Sequence, residues 1–399
     1  MADRHVLLEQ LSRHPSFYLY EESVIQAAAS RLQSNFPDAQ FLYSMKCNPA
    51  GRVLDTVFGQ GFGADAASLG EVLAAEAHGV SPELIYFSAP ARTEEDLRSA
   101  WGRCVLIADS LHELALIGRI AAEKGETARI GVRINPNFTF AGDSGIPGKF
   151  GIDEEALWSA DLTGVQITGI HVHAKSQELS AAVLAHYYEN MFALIARVQE
   201  RLHVPLRFAN FGSGLGIPFA PGEEELDVET LGARFQAMAH SCRAAWPQLR
   251  ILIESGRYVV GKSGTYVTRV LDKKESRGKT FLLLHDTLNG FARPAVAQMV
   301  RGFTDAPFPY EPIFTHVDAS ALLPLSDCQD QETVTLAGNL CTAADIIARD
   351  ISLPRLEIGD GLALTNAGCY AAVMTPMQFA FLTPPAQLFL TKDGKVIKA

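Results

Sequence analysis

No stretch of this 399-residue sequence approaches the ~20 consecutive apolar residues that a membrane-spanning helix needs, which argues against an integral membrane protein. The opening residues, Met1-Ala2-Asp3-Arg4-His5, include an acid and have no apolar run behind them, so no secretory leader is expected. Cysteine is scarce. Its six copies (47, 104, 242, 328, 341 and 369) are scattered without a Cys-x-x-Cys pair, which points to reduced cytoplasmic thiols and away from a disulfide framework. Positive charge is in deficit as well. The 34 Lys and Arg stand against 45 Asp and Glu, a net charge of −11 with no dense basic run, and that suits a nucleic-acid backbone poorly. Short-period repeats and low-complexity segments are missing too. What is present, 48% hydrophobic and 20% charged residues, is ordinary for a soluble globular protein. The length allows two or three domains at roughly 150 residues each.

From residue 24 to about 260, apolar β-rich runs alternate with helix-length stretches. The predicted strands are 41–46, 61–66, 84–89, 104–109, 128–134, 165–174, 206–212 and 250–255, near-continuous apolar runs of the kind covered on both faces. Amphipathic segments 68–78, 93–100, 111–123, 179–202 and 228–246 lie between them, with start signals such as Ser68 before Glu71 and Thr93 before Glu95. Eight such repeats predict a parallel sheet closed into a (β/α)8 TIM-like barrel over 24–260. Beyond 260 the period changes to two, as in 265–271 and 332–336, and Pro307, Pro309 and Pro312 mark an irregular connection. A C-terminal β-rich domain is expected over 261–399, completed by residues 1–23, of which 16–22 read as a strand.

Barrel enzymes gather their reactive groups at the C-terminal ends of the strands. Those ends hold Lys46, Asp65, His173, the loop Gly212-Ser213-Gly214-Leu215-Gly216, and Glu254 with Gly256 and Arg257. Burial of Lys46 would favour the neutral amine that Schiff-base chemistry needs; a lysine that merely reaches water along its stem is the plain alternative. The glycine loop offers backbone N–H groups to a phosphate, or is a simple turn; Pro218 and the missing Lys-Ser/Thr speak against a dinucleotide or P-loop site. His171 and His173 alternate on one strand and so share a face, open to a zinc reading, a cofactor-stacking reading or a core role. Glu254 and Arg257 read as an internal ion pair, or as a carboxylate for a cofactor's ring nitrogen and a guanidinium for its phosphate. Cys341 sits in a turn, Gly338-Asn339-Leu340-Cys341-Thr342.

Together these segments resemble the fold-type III pyridoxal-phosphate decarboxylases, the diaminopimelate/ornithine decarboxylase family. Tyr43-Ser44-Met45-Lys46-Cys47-Asn48 is similar to the family's Tyr-Ala-x-Lys-Ala-Asn. Gly63 to Ser68 with Gly70-Glu71, Lys149-Phe150-Gly151-Ile152, His171 to Gln177, Phe211 to Ile217, Glu254-Ser255-Gly256-Arg257, Cys341 to Asp345 and Gly368-Cys369-Tyr370 (the family's Gly-Ala-Tyr) follow in order. The resemblance implies an alanine-racemase-like barrel, pyridoxal 5'-phosphate as cofactor and loss of CO2 from an amino acid. It implies that Lys46 bonds the cofactor and that His173 stacks on its ring. Ser176, Gly212, Ser213, Gly214, Gly216, Gly256, Arg257 and Tyr370 would surround the phosphate, and Glu254 would hold the ring nitrogen protonated. Cys341, contributed by a partner subunit, would return a proton to Cα, so a homodimer with shared active sites is implied.

Departures from the pattern bear on the substrate. Thr342 stands where amine-binding members carry Asp or Glu, which would leave a distal ammonium without its partner. Arg293-Pro294 resembles the pair that meets a distal carboxylate, Ala297 replaces a Tyr and widens the expected pocket, and Lys175 replaces a glycine. A larger, carboxylate-rich substrate is expected. Within the family the pattern is nearest to the staphyloferrin B-type siderophore decarboxylases, which act on a citryl-2,3-diaminopropionate conjugate. The alternatives are a diaminopimelate, ornithine or lysine decarboxylase, a pyridoxal-phosphate racemase, a zinc-dependent barrel hydrolase, and a catalytically dead binding homologue.

Overall fold

The computed structural model describes residues 2–302 and 322–399, apart from 141, 143, 213, 220 and 221. The irregular connection expected around Pro307, Pro309 and Pro312 lies outside the described residues.

Eight parallel strands follow one another around a closed barrel: Ala39–Ser44, Gly63–Ala66, Ile85–Ser88, Val105–Ala108, Ala128–Asn135, Val165–His171, Phe208–Asn210 and Arg250–Ser255. The last pairs with the first, Ile253 beside Phe41 and Glu254 beside Leu42, which closes the ring. Leu42, Tyr86, Ile107, Phe208 and Leu252 fill its interior. Phe208 fits there because Gly169 has no side chain: a Cβ at that position would sit 2.3 Å from the ring. Outside the ring run the helices Glu22–Asn35, Gly51–Gly59, Leu69–Ala77, Glu94–Ala100, Leu111–Glu123, Ala181–Leu202 and Val228–Ala245. Ser68 caps its helix through the Glu71 N–H. Thr93 caps the next, with Asp96 rather than Glu95 completing the reciprocal pair, because N3 is the position that reaches back.

A second, mixed sheet of nine strands is built around the long strand Gly264–Ser276. The N-terminal strand Ser16–Glu21 pairs antiparallel with it and parallel with Ala386–Leu390. Gly361–Leu364, Lys279–Leu284, Gln331–Gly338 and Ile346–Pro354 extend this sheet. Its helix Ala292–Arg301 is absent from the period-two reading, which saw little helical periodicity here. Two bonds seat this half against the barrel mouth: Tyr370 N–H to the Cys47 carbonyl and Asn48 Nδ2 to the Gly368 carbonyl, both 3.0 Å. Among the described residues no helix is long and apolar enough to cross a membrane.

Candidate active site

The first barrel strand stops at Ser44, two residues short of the expected end, and Met45–Cys47 forms a single tight turn. Met45 and Cys47 are buried in it, and Lys46 projects into a cavity of about 470 Å3 at the C-terminal mouth of the barrel. Lys46 Nζ donates to Asp65 Oδ2 at 3.0 Å, from the end of the next strand. The expectation of a neutral amine needs correction. Burial pulls in that direction, but the Asp65 and Glu254 carboxylates outweigh it and hold the Lys46 pKa above its ordinary value.

Glu254, at the end of the last strand, is 1% exposed. Its Oε1 accepts from Asn210 Nδ2 at 2.8 Å and lies 3.0 Å from His171 Nε2, while Oε2 lies 3.4 Å from His173 Nδ1. Burial alone would raise its pKa. His171, His173 and Lys46 reverse that and hold it well below the usual carboxylate range. His173 lies two residues past the end of its strand, so strict alternation reaches only His171, yet both imidazoles turn to the same carboxylate. Burial lowers the pKa of His173, leaving a neutral ring, and its Nε2 stands 3.3 Å from Ser176 Oγ. Ser88 Oγ holds His171 Nδ1 from the other side at 3.0 Å.

Arg257 opens the short helix Arg257–Val260 behind Gly256, with its guanidinium 5.2 Å from the centre of the Tyr370 ring. Both residues line the cavity, as do Asp65, His173, Lys175, Ser176 and Glu254. The glycine loop is held by the fold itself. Gly212 adopts φ +63°, and a Cβ there would fall 2.3 Å from the Val172 carbonyl. Its N–H goes to Asn210 Oδ1 at 2.9 Å, and that of Gly216 goes to the Glu178 carbonyl at 3.0 Å. The Gly214 carbonyl accepts from Glu178 N–H at 2.6 Å. Two of the amides expected to meet a phosphate are therefore engaged within the protein; Ser213 lies outside the described residues.

The expected substrate residues separate. Lys175 stands at the rim, 3.2 Å from Glu178. Arg293 does not line the cavity; it is buried behind it, with its guanidinium 4.9 Å from the Phe219 ring and Nη2 on the Asn366 carbonyl at 3.0 Å. Burial lowers its pKa to about 10. Ala297 is buried in the same helix and is not part of the cavity wall. Cys341 and Thr342 lie on the turn after Gln331–Gly338, with Cys341 exposed and neither facing this chain's cavity. Asp345 organises that turn, accepting from Leu340 N–H and Leu288 N–H at 3.0 Å each and from the Thr287 hydroxyl.

Sequence reasoning missed Asn210, Ser88 and Arg133. Asn210 and Ser88 end barrel strands, where the strand-end rule would have found them. Arg133 lies two residues before the end of its own strand, lines the cavity, and has its guanidinium 4.4 Å from the Phe150 ring.

A primary amine, an ionised buried carboxylate, a neutral imidazole face and a guanidinium thus share one cavity. This donor set fits pyridoxal phosphate: an aldehyde to bond, a ring nitrogen to keep protonated, a flat ring to stack and a phosphate to balance. His171 and His173 both meet Glu254, but among the described residues no group of three or more His, Cys, Asp or Glu is arranged to hold a metal.

Residues 22–261 match the family model described as "Pyridoxal-dependent decarboxylase, pyridoxal binding domain". The L-glutamyl-[BtrI acyl-carrier protein] decarboxylase of Niallia circulans is 30% identical, over 95% of this chain and 89% of its own. The 2-[(L-alanin-3-ylcarbamoyl)methyl]-2-hydroxybutanedioate decarboxylase of Staphylococcus aureus is 26% identical over 97% of both. Among solved structures, diaminopimelate decarboxylase from Helicobacter pylori complexed with L-lysine superposes with a TM-score of 0.81 at 25% identity, over 98% of this chain and 95% of that one. With the family model covering more than half of its length, the chain belongs to the pyridoxal-dependent decarboxylases and is a carboxy-lyase of that cofactor class.

Proposed function

We propose that this enzyme removes the α-carboxylate of an amino acid whose far end is acylated and carries carboxylates instead of a free ammonium. A citryl-2,3-diaminopropionate conjugate, as in carboxylate siderophore biosynthesis, is the leading candidate. The observation that carries this reading is Thr342, uncharged where amine-binding members have an acid, on a turn held in place by Asp345. Arg133 and Lys175 on the cavity wall add positive charge suited to carboxylates, in a chain whose net charge is −11. The relative from S. aureus supports the conjugate. The relative from N. circulans, named for a glutamyl group on an acyl-carrier protein, supports a second reading that likewise lacks a free distal ammonium.

Pyridoxal phosphate, when bound, supplies the conjugated ring that takes up the electron pair left as the Cα–carboxylate bond breaks. Lys46 would hold the cofactor and carry a proton at Nζ, with Asp65 keeping that proton available. Glu254, ionised and shielded from water, would hold the ring nitrogen protonated. His173 would pack its neutral ring on the cofactor face, while Arg257, Ser176 and Tyr370 would enclose the phosphate end.

Cys341 would protonate Cα in the site of a second copy. Its exposure, and the exposed Met374, Phe379 and Phe381 just beyond Tyr370, support a homodimer with shared sites, and the two separate sheets support a division into 24–260 and 261–399 with 1–23. Mixing inactive Lys46→Ala and Cys341→Ala chains should then restore about a quarter of wild-type activity, since half the dimers carry one complete site.

The deciding experiment is a CO2-release panel on the cofactor-loaded protein: the citryl conjugate, a carrier-bound glutamyl group, diaminopimelate, ornithine and lysine. The citryl conjugate should show the highest kcat/KM. Preference for diaminopimelate would sink the Thr342 argument, and preference for the carrier-bound group would select the second reading.

A further inference from the structure

Asn210 closes the barrel strand Phe208–Asn210 and is 1% exposed. Its side-chain amide is bonded at both ends: Nδ2 donates to Glu254 Oε1 at 2.8 Å, and Oδ1 accepts the Gly212 N–H at 2.9 Å. Its backbone carbonyl accepts from Val172 N–H, between His171 and His173, at 3.0 Å. The Gly212 carbonyl in turn accepts from Glu254 N–H at 2.7 Å. One buried residue thus ties together the end of the last barrel strand, the start of the glycine loop and the histidine segment.

The residue type suits this place. An amide carries a donor and an acceptor on separate atoms, so it serves a carboxylate and an N–H at once; an aspartate would supply the acceptor alone, and a leucine neither. The loop has no slack with which to find another partner. Gly212 sits at φ +63°, and a Cβ there would meet the Val172 carbonyl at 2.3 Å and His173 Cα at 2.9 Å. A polar network that is fully bonded and out of water holds its members rigidly. Asn210 does not line the cavity, so it acts through Glu254 and Gly212.

We propose that Asn210 is a positioning residue that fixes the Glu254 carboxylate relative to the glycine loop, so that one amide sets the ring-nitrogen end of the cofactor site against its phosphate end. The proposal rests on the assignment of Glu254 to the ring nitrogen and of the loop to the phosphate.

The test compares wild type, Asn210→Ala, E254Q and the double variant. CO2 release by the holoenzyme gives kcat on the best substrate of the panel, and titration of the cofactor-free protein gives the Kd of pyridoxal phosphate. Asn210→Ala should lower kcat roughly 10–150-fold, the scale of one lost bond to a charged group, and raise the cofactor Kd roughly 3–10-fold, the scale of a neutral one. In the E254Q background the charge that Asn210 aims is gone. The same change should there lower kcat by less than about threefold while still weakening cofactor binding. Equal kcat losses in the two backgrounds would overturn the positioning role, and an unchanged Kd would overturn the tie to the loop.

Asn210→Asp serves where alanine does not fold, being isosteric and keeping the acceptor for Gly212. It sets two carboxylates at bonding distance, so the pair must share a proton. The other titratable groups about Glu254 are His171 at 3.0 Å, His173 at 3.4 Å and Lys46 on the same cavity, all unchanged in this variant. Its kcat should show an ionisation between about pH 5 and 9 that wild type lacks, and a wild-type profile would overturn the coupling. An E254Q enzyme within about threefold of wild type would sink the Glu254 assignment and this proposal with it. A large E254Q loss with additive Asn210→Ala losses would sink this proposal alone.

Discussion

Replacing Glu254 with Gln probes the electrostatic centre of the site. The carboxylate is buried with Asn210 Nδ2 at 2.8 Å and His171 Nε2 at 3.0 Å, both near one oxygen. Polar contacts to a charged group contribute roughly 1.5–3 kcal/mol each, and their neutral counterparts about half. Two such contacts converted from charged to neutral should destabilise the fold by roughly 1.5–3 kcal/mol, read as a lower urea midpoint of the cofactor-free protein. The sign with pH follows from the depressed pKa. Stability supplied by Glu254 is fully present above the ordinary carboxylate value of 4.5 and is lost as pH falls through its lower folded value. The gap between wild type and E254Q should therefore hold from pH 8 to about 4.5 and narrow below that. Loss of the charge that would hold the ring nitrogen protonated should cut kcat about 10²–10³-fold, the scale for removing one preorganised polar group. Glu254→Asp keeps the charge with a poorer fit and should retain more activity than E254Q. An E254Q enzyme within threefold of wild type, or an E254D enzyme worse than E254Q, would refute the reasoning.

Three other changes separate the remaining parts of the site and fold. Lys46→Ala should abolish CO2 release and remove the visible absorbance of the lysine-bound cofactor, while circular dichroism stays native. Asp65→Asn removes the nearer carboxylate from Lys46, so reaction of its amine with added pyridoxal phosphate should begin at lower pH than in wild type, followed by absorbance; an unchanged onset would assign the charge control elsewhere. Arg92→Met strands the buried Glu113 carboxylate, to which Arg92 Nη2 donates at 2.8 Å; the two side chains are only 3% and 1% exposed. It should cost about 3–5 kcal/mol in urea unfolding, with kcat of the folded fraction little changed.

The barrel was legible because its strands are covered on both faces, so Cys104 to Ala108 and Ile251 to Ile253 read as unbroken apolar runs wherever they are inspected. Polar residues at the ends of such runs had no structural reason to be there, and Lys46, Asp65, His173, Glu254 and Arg257 stood out on that ground. The helix Ala292–Arg301 did not, because its one apolar stripe is short and follows period-two strands. Asn210 was passed over for a similar reason: one amide beside a glycine loop carries no pattern, and its bond to Glu254 joins positions 44 residues apart.

Residue types, their order and the strand-end rule, read from sequence alone, determine the barrel and the polar side chains gathered at its mouth, and the cofactor class follows from the motifs' resemblance to the pyridoxal-phosphate decarboxylases. Tertiary structure decides their charge and their company. Lys46 is charged because two carboxylates from other strands outweigh its burial, and Arg293 stacks behind the cavity instead of lining it. Cys341 faces away from its own chain's site, and the Lys46 turn meets the Tyr370 loop through Tyr370 N–H on the Cys47 carbonyl, 323 positions apart. Electrostatic energy depends on distance in space, and a linear sequence does not record which distant segments the closed ring and the curled sheet bring within a few ångströms.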